Sequence, residues 1–298
     1  MLLMTPEKMI AVRDPHGFRP LCFGKLNNGG YIVASETCAL DLVDAEYIRD
    51  AEPGEMLIFD QNGIHSIFPW PKQNPSFCIF EQVYFARPDS DIFGTSVYTA
   101  RKRMGAILAR EAKIDADFVM PFPDSGNYCA LGYSQASGIP MEMGVIRNHY
   151  VGRTFIQPTQ SMRDFSVRVK LNPVRGFLKD KRVIIVEDSI IRGTTGKSRV
   201  RALREAGARE VHMVVSCPPT RHACFYGIDF PSESQLIATD KTIKEISDYL
   251  GLDSLHYLSL EGLVEATGMP TDSFCLACFN GQYPVAPDKM FSKNVLEK

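Results

Sequence analysis

The stretch Val183–Gly196, VIIVEDSIIRGTTG, decides the fold. Four β-branched residues, Val183 to Val186, run directly into Glu187 and Asp188. Ser189, Ile190, Ile191 and an Arg192-Gly193-Thr194-Thr195-Gly196 turn follow. From Lys197 the spacing becomes helical, with Val200, Leu203 and Ala206 on one face and Gly207 as a stop. A continuous apolar run this short reads as a strand buried on both faces. The stretch therefore predicts buried strand, acidic pair, Gly/Thr loop and helix.

A loop between a parallel strand and a helix lies at the carboxyl edge of its sheet, where α/β folds bind ligands. Gly193 and Gly196 let the backbone turn its N–H groups inward. Thr194 and Thr195 add hydroxyls, and the helix presents its positive end. These features suit a phosphate. Two carboxylates beside it would repel that ligand unless they hold ribose hydroxyls or a hard cation such as Mg²⁺. A Walker loop has glycine where Glu187 and Asp188 stand. A bare strand–loop–helix is as often structural as functional; the acidic pair moves this one toward a phosphorylated ribose.

Working outward, 298 residues suggest two domains, and 45% apolar content suits a sizeable core. The net charge of −2 argues against a nucleic-acid-binding protein. Between Arg147 and Arg182, however, nine Lys/Arg stand against two acids, Asp164 and Asp180. A basic run is usually a solvated face, but its place just ahead of the phosphate loop suits a polyanionic ligand. No apolar run reaches membrane-spanning length, and Met1–Ile10 lacks a signal-peptide pattern, so a cytoplasmic protein without a membrane partner is expected.

Residues 1–75 read as β-rich, with strands expected at Lys8–Val12, Pro20–Gly24, Gly30–Ala34 and Glu55–Phe59 and a helical turn at Asp41–Tyr47. These are too few elements to bury both faces of a two-sheet sandwich. Pro69–Pro75 reads as a linker. Beyond it come an expected strand at Cys78–Phe85, a helix at Val97–Ala112, a strand at Phe118–Pro121, a polar loop at Pro123–Asn127 and a helix at Tyr128–Gly138. Alternation of strand, loop and helix argues for a parallel sheet. Val211–Ser216 reads as another buried strand. The segment 236–298 reads as mostly helical, at Asp240–Leu250 and Leu260–Thr267, before Cys275-Leu276-Ala277-Cys278. Eight cysteines without a secretory signal point to metal, catalysis or burial before disulfides. One CxxC alone leaves zinc, redox, iron–sulfur and buried-thiol readings open.

VIIVEDSIIRGTT resembles the 5-phosphoribosyl 1-pyrophosphate (PRPP) loop of type I phosphoribosyltransferases. RDPHGFRPL (Arg13–Leu21), CIFEQVYFARPDS (Cys78–Ser90), RNHYVGRTFI (Arg147–Ile156) and CFYGIDF (Cys224–Phe230) narrow the resemblance to the glutamine PRPP amidotransferase family over nearly the whole chain. The resemblance implies an α/β fold. A truncated N-terminal-nucleophile-hydrolase-like glutaminase segment (1–75) would precede a type I phosphoribosyltransferase parallel sheet flanked by helices (76–235). A helical C-terminal part with cluster cysteines would follow (236–298). The family's glutaminase nucleophile is an N-terminal cysteine. Neither Cys22 nor Cys38 matches it, so no glutaminase catalytic group carries over, and ammonia rather than glutamine is the expected nitrogen donor of this chain.

The implied reaction is amidophosphoribosyl transfer: ammonia displaces pyrophosphate from C1 of PRPP, giving 5-phosphoribosylamine, the entry step of purine synthesis. The resemblance assigns PRPP binding to Glu187, Asp188, Ser189, Arg192, Gly193, Thr194 and Thr195, with Arg153, Arg168 and Lys170 on a basic loop that closes over the ligand. It assigns Mg²⁺ to Ser125, Glu187 and Asp188. The family usually has two aspartates where this chain has Glu187-Asp188. In one branch of the family four cysteines hold a [4Fe–4S] cluster, and Cys78, Cys224, Cys275 and Cys278 match them; Cys217 matches none and reads as core. Purine nucleotides as feedback inhibitors and a homo-oligomer, a tetramer in the family, are further implications. A PRPP-binding regulatory protein without catalysis is the alternative, but nothing resembling a DNA-binding extension precedes Lys72. A base-salvage phosphoribosyltransferase leaves the β-rich segment and the four cysteines unexplained.

Overall fold

The computed structural model describes residues 1–148, 171–230 and 233–286. It falls into two compact units. The first comprises Met1–Ala100 with Thr267–Ala277 and residues 282–286; the second comprises Arg101–Ala266 with Cys278–Gly281. The unit limits thus differ from the boundaries at 75/76 and 235/236 read from the sequence.

In the first unit, β1 (Leu2–Met4), β2 (Met9–Val12), β6 (Met56–Asp60) and β7 (Gly63–Ile67) form an antiparallel sheet in the order β1-β2-β6-β7. A second sheet has the order β4-β3-β5, from β3 (Cys22–Lys25), β4 (Tyr31–Ala34) and β5 (Glu46–Asp50). The two sheets share a core of Ala11, Phe23, Ala51, Leu57 and Phe59, while β1 stays exposed.

The helical turn expected at Asp41–Tyr47 lies instead at α1 (Cys38–Asp41), and Glu46–Asp50 is a strand. The reason is tertiary: Gly24 has no Cβ, which would stand 2.5 Å from the Glu46 carbonyl oxygen, so β5 can close on β3. The strand expected at Cys78–Phe85 is corrected too. Only β8 (Phe77–Cys78) is extended, and Glu81–Phe85 is a π-helical turn. Ile79, Phe80 and Val83 are buried together at helical rather than alternating spacing. The hairpin β9 (Asp91–Ile92) and β10 (Thr95–Ser96) follows.

RDPHGFRPL is built around a buried Arg13. Its guanidinium donates to the carbonyls of Arg19 (3.1 Å), Ala51 (2.5 Å) and Gly17 (3.1 Å), and it lies over the rings of Phe77 and Phe93. Burial lowers its pKa. Gly17, at φ 63°, makes the turn; a side chain there would meet Pro53, 2.9 Å away.

The second unit is the α/β layer that the Val183–Gly196 stretch implies. Its sheet has the order β11 (Phe118–Pro121), β14 (Arg182–Glu187), β15 (Glu210–Val215), β16 (Ser254–Tyr257), all parallel. β16 was read as part of a helical segment; it is the fourth strand, and α7 (Ile243–Leu250) and α8 (Leu260–Thr267) flank it in sequence. Its four residues, SLHY, alternate too briefly to signal a strand without β15 beside them. Val183–Val186 and Met213–Val215 are wholly buried, as central parallel strands require. Between β11 and β14 come α3 (Asn127–Ser137), the antiparallel pair β12 (Val145–Arg147) and β13 (Leu171–Pro173), and α4 (Arg175–Leu178). After β14 comes α5 (Thr194–Glu205), which starts three residues before the expected Lys197. The short α6 is Ile237–Asp240.

Candidate functional site

Pro121, Glu187, Val215 and Tyr257 end the four parallel strands at one edge. Chain order switches at β11: Met141 bridges Val119 on one side of it, and β14 lies on the other. The crevice beyond such a switch point is where open α/β sheets bind ligands.

Backbone contacts bring two loops together there. Phe122 N–H donates to the Val186 carbonyl at 2.9 Å, continuing the β11–β14 ladder past Pro121. Gly126 packs on that same carbonyl, where a Cβ would stand only 2.3 Å away. The Pro123–Asn127 loop, carrying Ser125, is thereby held against the end of β14. Behind it, α3 crosses α2 (Val97–Ala112) at two glycines. Cβ atoms built on Gly132 and Gly105 would stand 1.8 Å from the Lys102 oxygen and 1.9 Å from the Cys129 oxygen.

The carboxylates are largely enclosed. The Glu187 side chain is 12% exposed, and its Oε2 accepts from Arg199 Nη1 at 2.8 Å. Burial, then the neighbouring Asp188, pushes the Glu187 carboxyl up to about 8, against the pull of Arg199. Asp188 is buried; Ser189 Oγ donates to its Oδ1 at 2.5 Å, and Ser216 Oγ donates to its carbonyl at 3.3 Å.

The turn after them leaves helix-start donors open to an anion. Gly193 adopts φ 75° and precedes α5, whose first turn has no side-chain cap. The first amides of α5 and the exposed Thr194 and Thr195 hydroxyls are thus available to an anion. Ile237 N–H donates to the Ile191 carbonyl at 2.8 Å, and the Gly193 Cα faces Ile237 and Tyr249. Arg192 is exposed at the tip of the turn.

Among the residues expected at the site, the structure brings Glu187, Asp188, Ser189, Arg192, Gly193, Thr194 and Thr195 to one loop and Ser125 to the adjoining one. Arg153, Arg168 and Lys170 lie outside the described residues. Sequence reasoning missed Arg199, Phe122, the ion pair of Arg147 with Asp124 in the Ser125 loop, and Lys197, whose ammonium lies 4.3 Å over the Tyr249 ring. Arg199 is one of several arginines on α5, and no local signal separates it from Arg201 or Arg204.

None of the eight cysteines is disulfide-bonded. In the first unit Cys78 and Cys275 are direct partners across the parallel pair β8 and β17 (Phe274–Cys275), and Arg19 Nη1 lies 3.9 Å from the Cys78 sulfur. In the second, the Cys278 carbonyl accepts from the amides of Arg221 (2.9 Å) and His222 (3.1 Å), and the Cys224 sulfur accepts from Tyr226 N–H at 3.4 Å. Cys217 is wholly buried, in keeping with its reading as core. Among the described residues, no group of three or more His, Cys, Asp or Glu is arranged to hold a metal ion.

No family model matches the chain. Curated relatives do. Amidophosphoribosyltransferase 1, chloroplastic, of Arabidopsis thaliana is 51% identical over 290 residues, covering 97% of this chain and 51% of that protein. The amidophosphoribosyltransferase of Synechocystis is 52% identical over 301 residues (100% and 61%), and that of Bacillus subtilis 50% over 287 (95% and 60%). Among solved structures, the B. subtilis glutamine PRPP amidotransferase complexed with ADP and GMP superposes with a TM-score of 0.91 at 48% identity, covering 98% of this chain and 65% of that one. The chain spans about half to three-fifths of the length of the curated relatives it matches. Along nearly all of its own residues, at about 50% identity, the chain is similar to the amidophosphoribosyltransferases.

Proposed function

We propose that this chain carries the phosphoribosyl-transfer chemistry of its family, converting PRPP and ammonia to 5-phosphoribosylamine and pyrophosphate. The observation that carries the reading is the paired loop edge. An uncapped helix start follows two enclosed carboxylates by six residues, and Gly126 locks the Ser125 loop beside them. In this reading Thr194, Thr195 and the α5 amides hold the 5-phosphate, Glu187 and Asp188 hold the ribose hydroxyls, and Ser125 faces the pyrophosphate. Ammonia donates its lone pair to C1, the C1–oxygen bond breaks, pyrophosphate departs with the bond electrons, and the new ammonium loses a proton. Pyrophosphate is already a good leaving group, so charge stabilisation and positioning do most of the catalytic work.

Mg²⁺ fits this edge as an ion carried by its ligand. Among the described residues Glu187, Asp188 and Ser125 are too few for an octahedral cage, and Mg²⁺ is commonly held by one or two carboxylates plus substrate phosphates. When bound it would neutralise the pyrophosphate. Arg153, Arg168 and Lys170 as phosphate contacts, purine nucleotides as feedback inhibitors, a homo-oligomer and cytoplasmic residence belong to the same proposal. The plant relatives are named chloroplastic, so cell fractionation separates the two locations.

Ligation of an iron–sulfur cluster by Cys78, Cys224, Cys275 and Cys278 is likewise a proposal. The donor chemistry suits it: four thiols, with N–H donors at the sulfurs of Cys78 and Cys224. Anaerobic purification should give brown protein containing iron and sulfide, and Cys275→Ser should lose both; colourless, zinc-loaded protein overturns it.

The central test is phosphoribosylamine formation from PRPP, Mg²⁺ and ammonia. Activity lost in Asp188→Asn and Thr195→Val supports the reading. A folded chain that neither binds PRPP nor turns it over refutes it.

A further inference from the structure

One side chain touches all three parts of the phosphoribosyl edge. Arg199 lies on the second turn of α5, the helix whose first turn forms the phosphate cradle. Its Nη1 donates to Glu187 Oε2 at 2.8 Å, at the end of β14. The same guanidinium lies 4.8 Å over the ring of Phe122, which opens the loop that carries Ser125. The Arg199 side chain is 23% exposed, Glu187 is 12%, and Phe122 is buried. Arg199 Nε is buried without a hydrogen-bond partner among the described residues.

We infer that Arg199 is a positioning residue: it orients the Glu187 carboxylate toward the ribose hydroxyls. The inference rests on the phosphoribosyl reading and deepens it. Glutamate is one methylene longer than the aspartate usual at this place in the family, so its carboxylate has one more torsion to order. A planar guanidinium clamped on an aromatic face is preorganised, and the bond it makes costs little further ordering. An ordinary structural ion pair would stabilise the fold without discriminating between ligands. The placement of this one, between strand end, cradle helix and loop, gives it a ligand-specific consequence.

The test uses the full chain and three probes measured by titration calorimetry with Mg²⁺: PRPP, ribose 5-phosphate and inorganic pyrophosphate. Arg199→Met should weaken PRPP and ribose 5-phosphate about tenfold, the range for a lost hydrogen bond to a charged group, and leave pyrophosphate within about twofold. Glu187→Gln should show the same selectivity. Because Arg199 acts through Glu187, the double variant should bind ribose 5-phosphate no more weakly than Glu187→Gln alone. Arg199→Lys, which keeps the charge without the fork, should restore part of the loss. Urea midpoints are read on every variant, and Arg199→Lys carries the comparison if Arg199→Met does not fold. The inference is overturned if either Arg199 variant binds ribose 5-phosphate as the unmodified chain does. It is also overturned if the two losses add in the double variant or if pyrophosphate weakens equally. An unmodified chain that binds neither PRPP nor ribose 5-phosphate overturns the phosphoribosyl reading itself, and the inference with it.

Discussion

Gly132→Ala tests how the site is held from behind. The Cβ it adds would stand 1.8 Å from the Lys102 carbonyl oxygen, 2.7 Å from its carbon and 3.1 Å from its Cα. All three are backbone atoms of α2, so no side chain can rotate away. Ordinary contact begins at 3.4 Å, so α2 and α3 must part by at least 3.4 − 1.8 = 1.6 Å. Overpacking in a core usually costs about 1–3 kcal/mol, and a backbone obstacle belongs at or above the top of that range. Taking about 3 kcal/mol and a urea m-value of about 2 kcal/mol/M, the midpoint should fall by about 1.5 M. Gly105→Ala should behave alike, since its Cβ meets the Cys129 carbonyl. Gly176→Ala is the control, with nothing within 4 Å, and should stay within about 0.5 kcal/mol. Unfolding is followed by far-UV circular dichroism. Because α3 begins at the Ser125 loop, the proposed function adds that any folded Gly132→Ala protein should bind PRPP more weakly. A Gly132→Ala midpoint within about 0.3 M of the unmodified chain would refute the close helix crossing and the reasoning built on it.

Three further outcomes follow from other contacts. The Glu187 carboxyl is pushed up to about 8 from its ordinary 4.5, so the folded chain binds the extra proton between those values. Stability relative to Glu187→Gln should therefore fall as pH rises from 4.5 to about 8, by at most about 1.4 kcal/mol per pH unit, and level off above; a pH-independent difference would contradict this. Arg13→Met should orphan three carbonyls in the first unit and cost about 3 kcal/mol, measured as the loss in thermal or urea stability. Thr242→Ala removes a capping box in which Thr242 and Glu245 bond each other's backbone, and should cost about 1 kcal/mol in the same measurement.

Read alone, the order of residues 183–196 determined a buried strand, two acids at its end, a glycine turn and a helix. These depend on neighbours along the chain: apolar continuity, the left-handed freedom of Gly193 and the unbonded amides of a helix start. The turn with its open helix start was therefore legible, and so was the switch from strand to helix. Tertiary structure alone decided what stands around it. Arg199 reaches Glu187 across 12 positions because α5 folds back beside β14. Gly126 matters because a strand 60 residues later presents the Val186 carbonyl to it. The strands at 46–50 and 254–257 exist through partners that local pattern does not announce. Cys78 meets Cys275 only because two short strands align in register. Backbone preference is a property of adjacent residues, whereas burial, pairing register and the ionisation of Glu187 are set by whatever the fold places next to them.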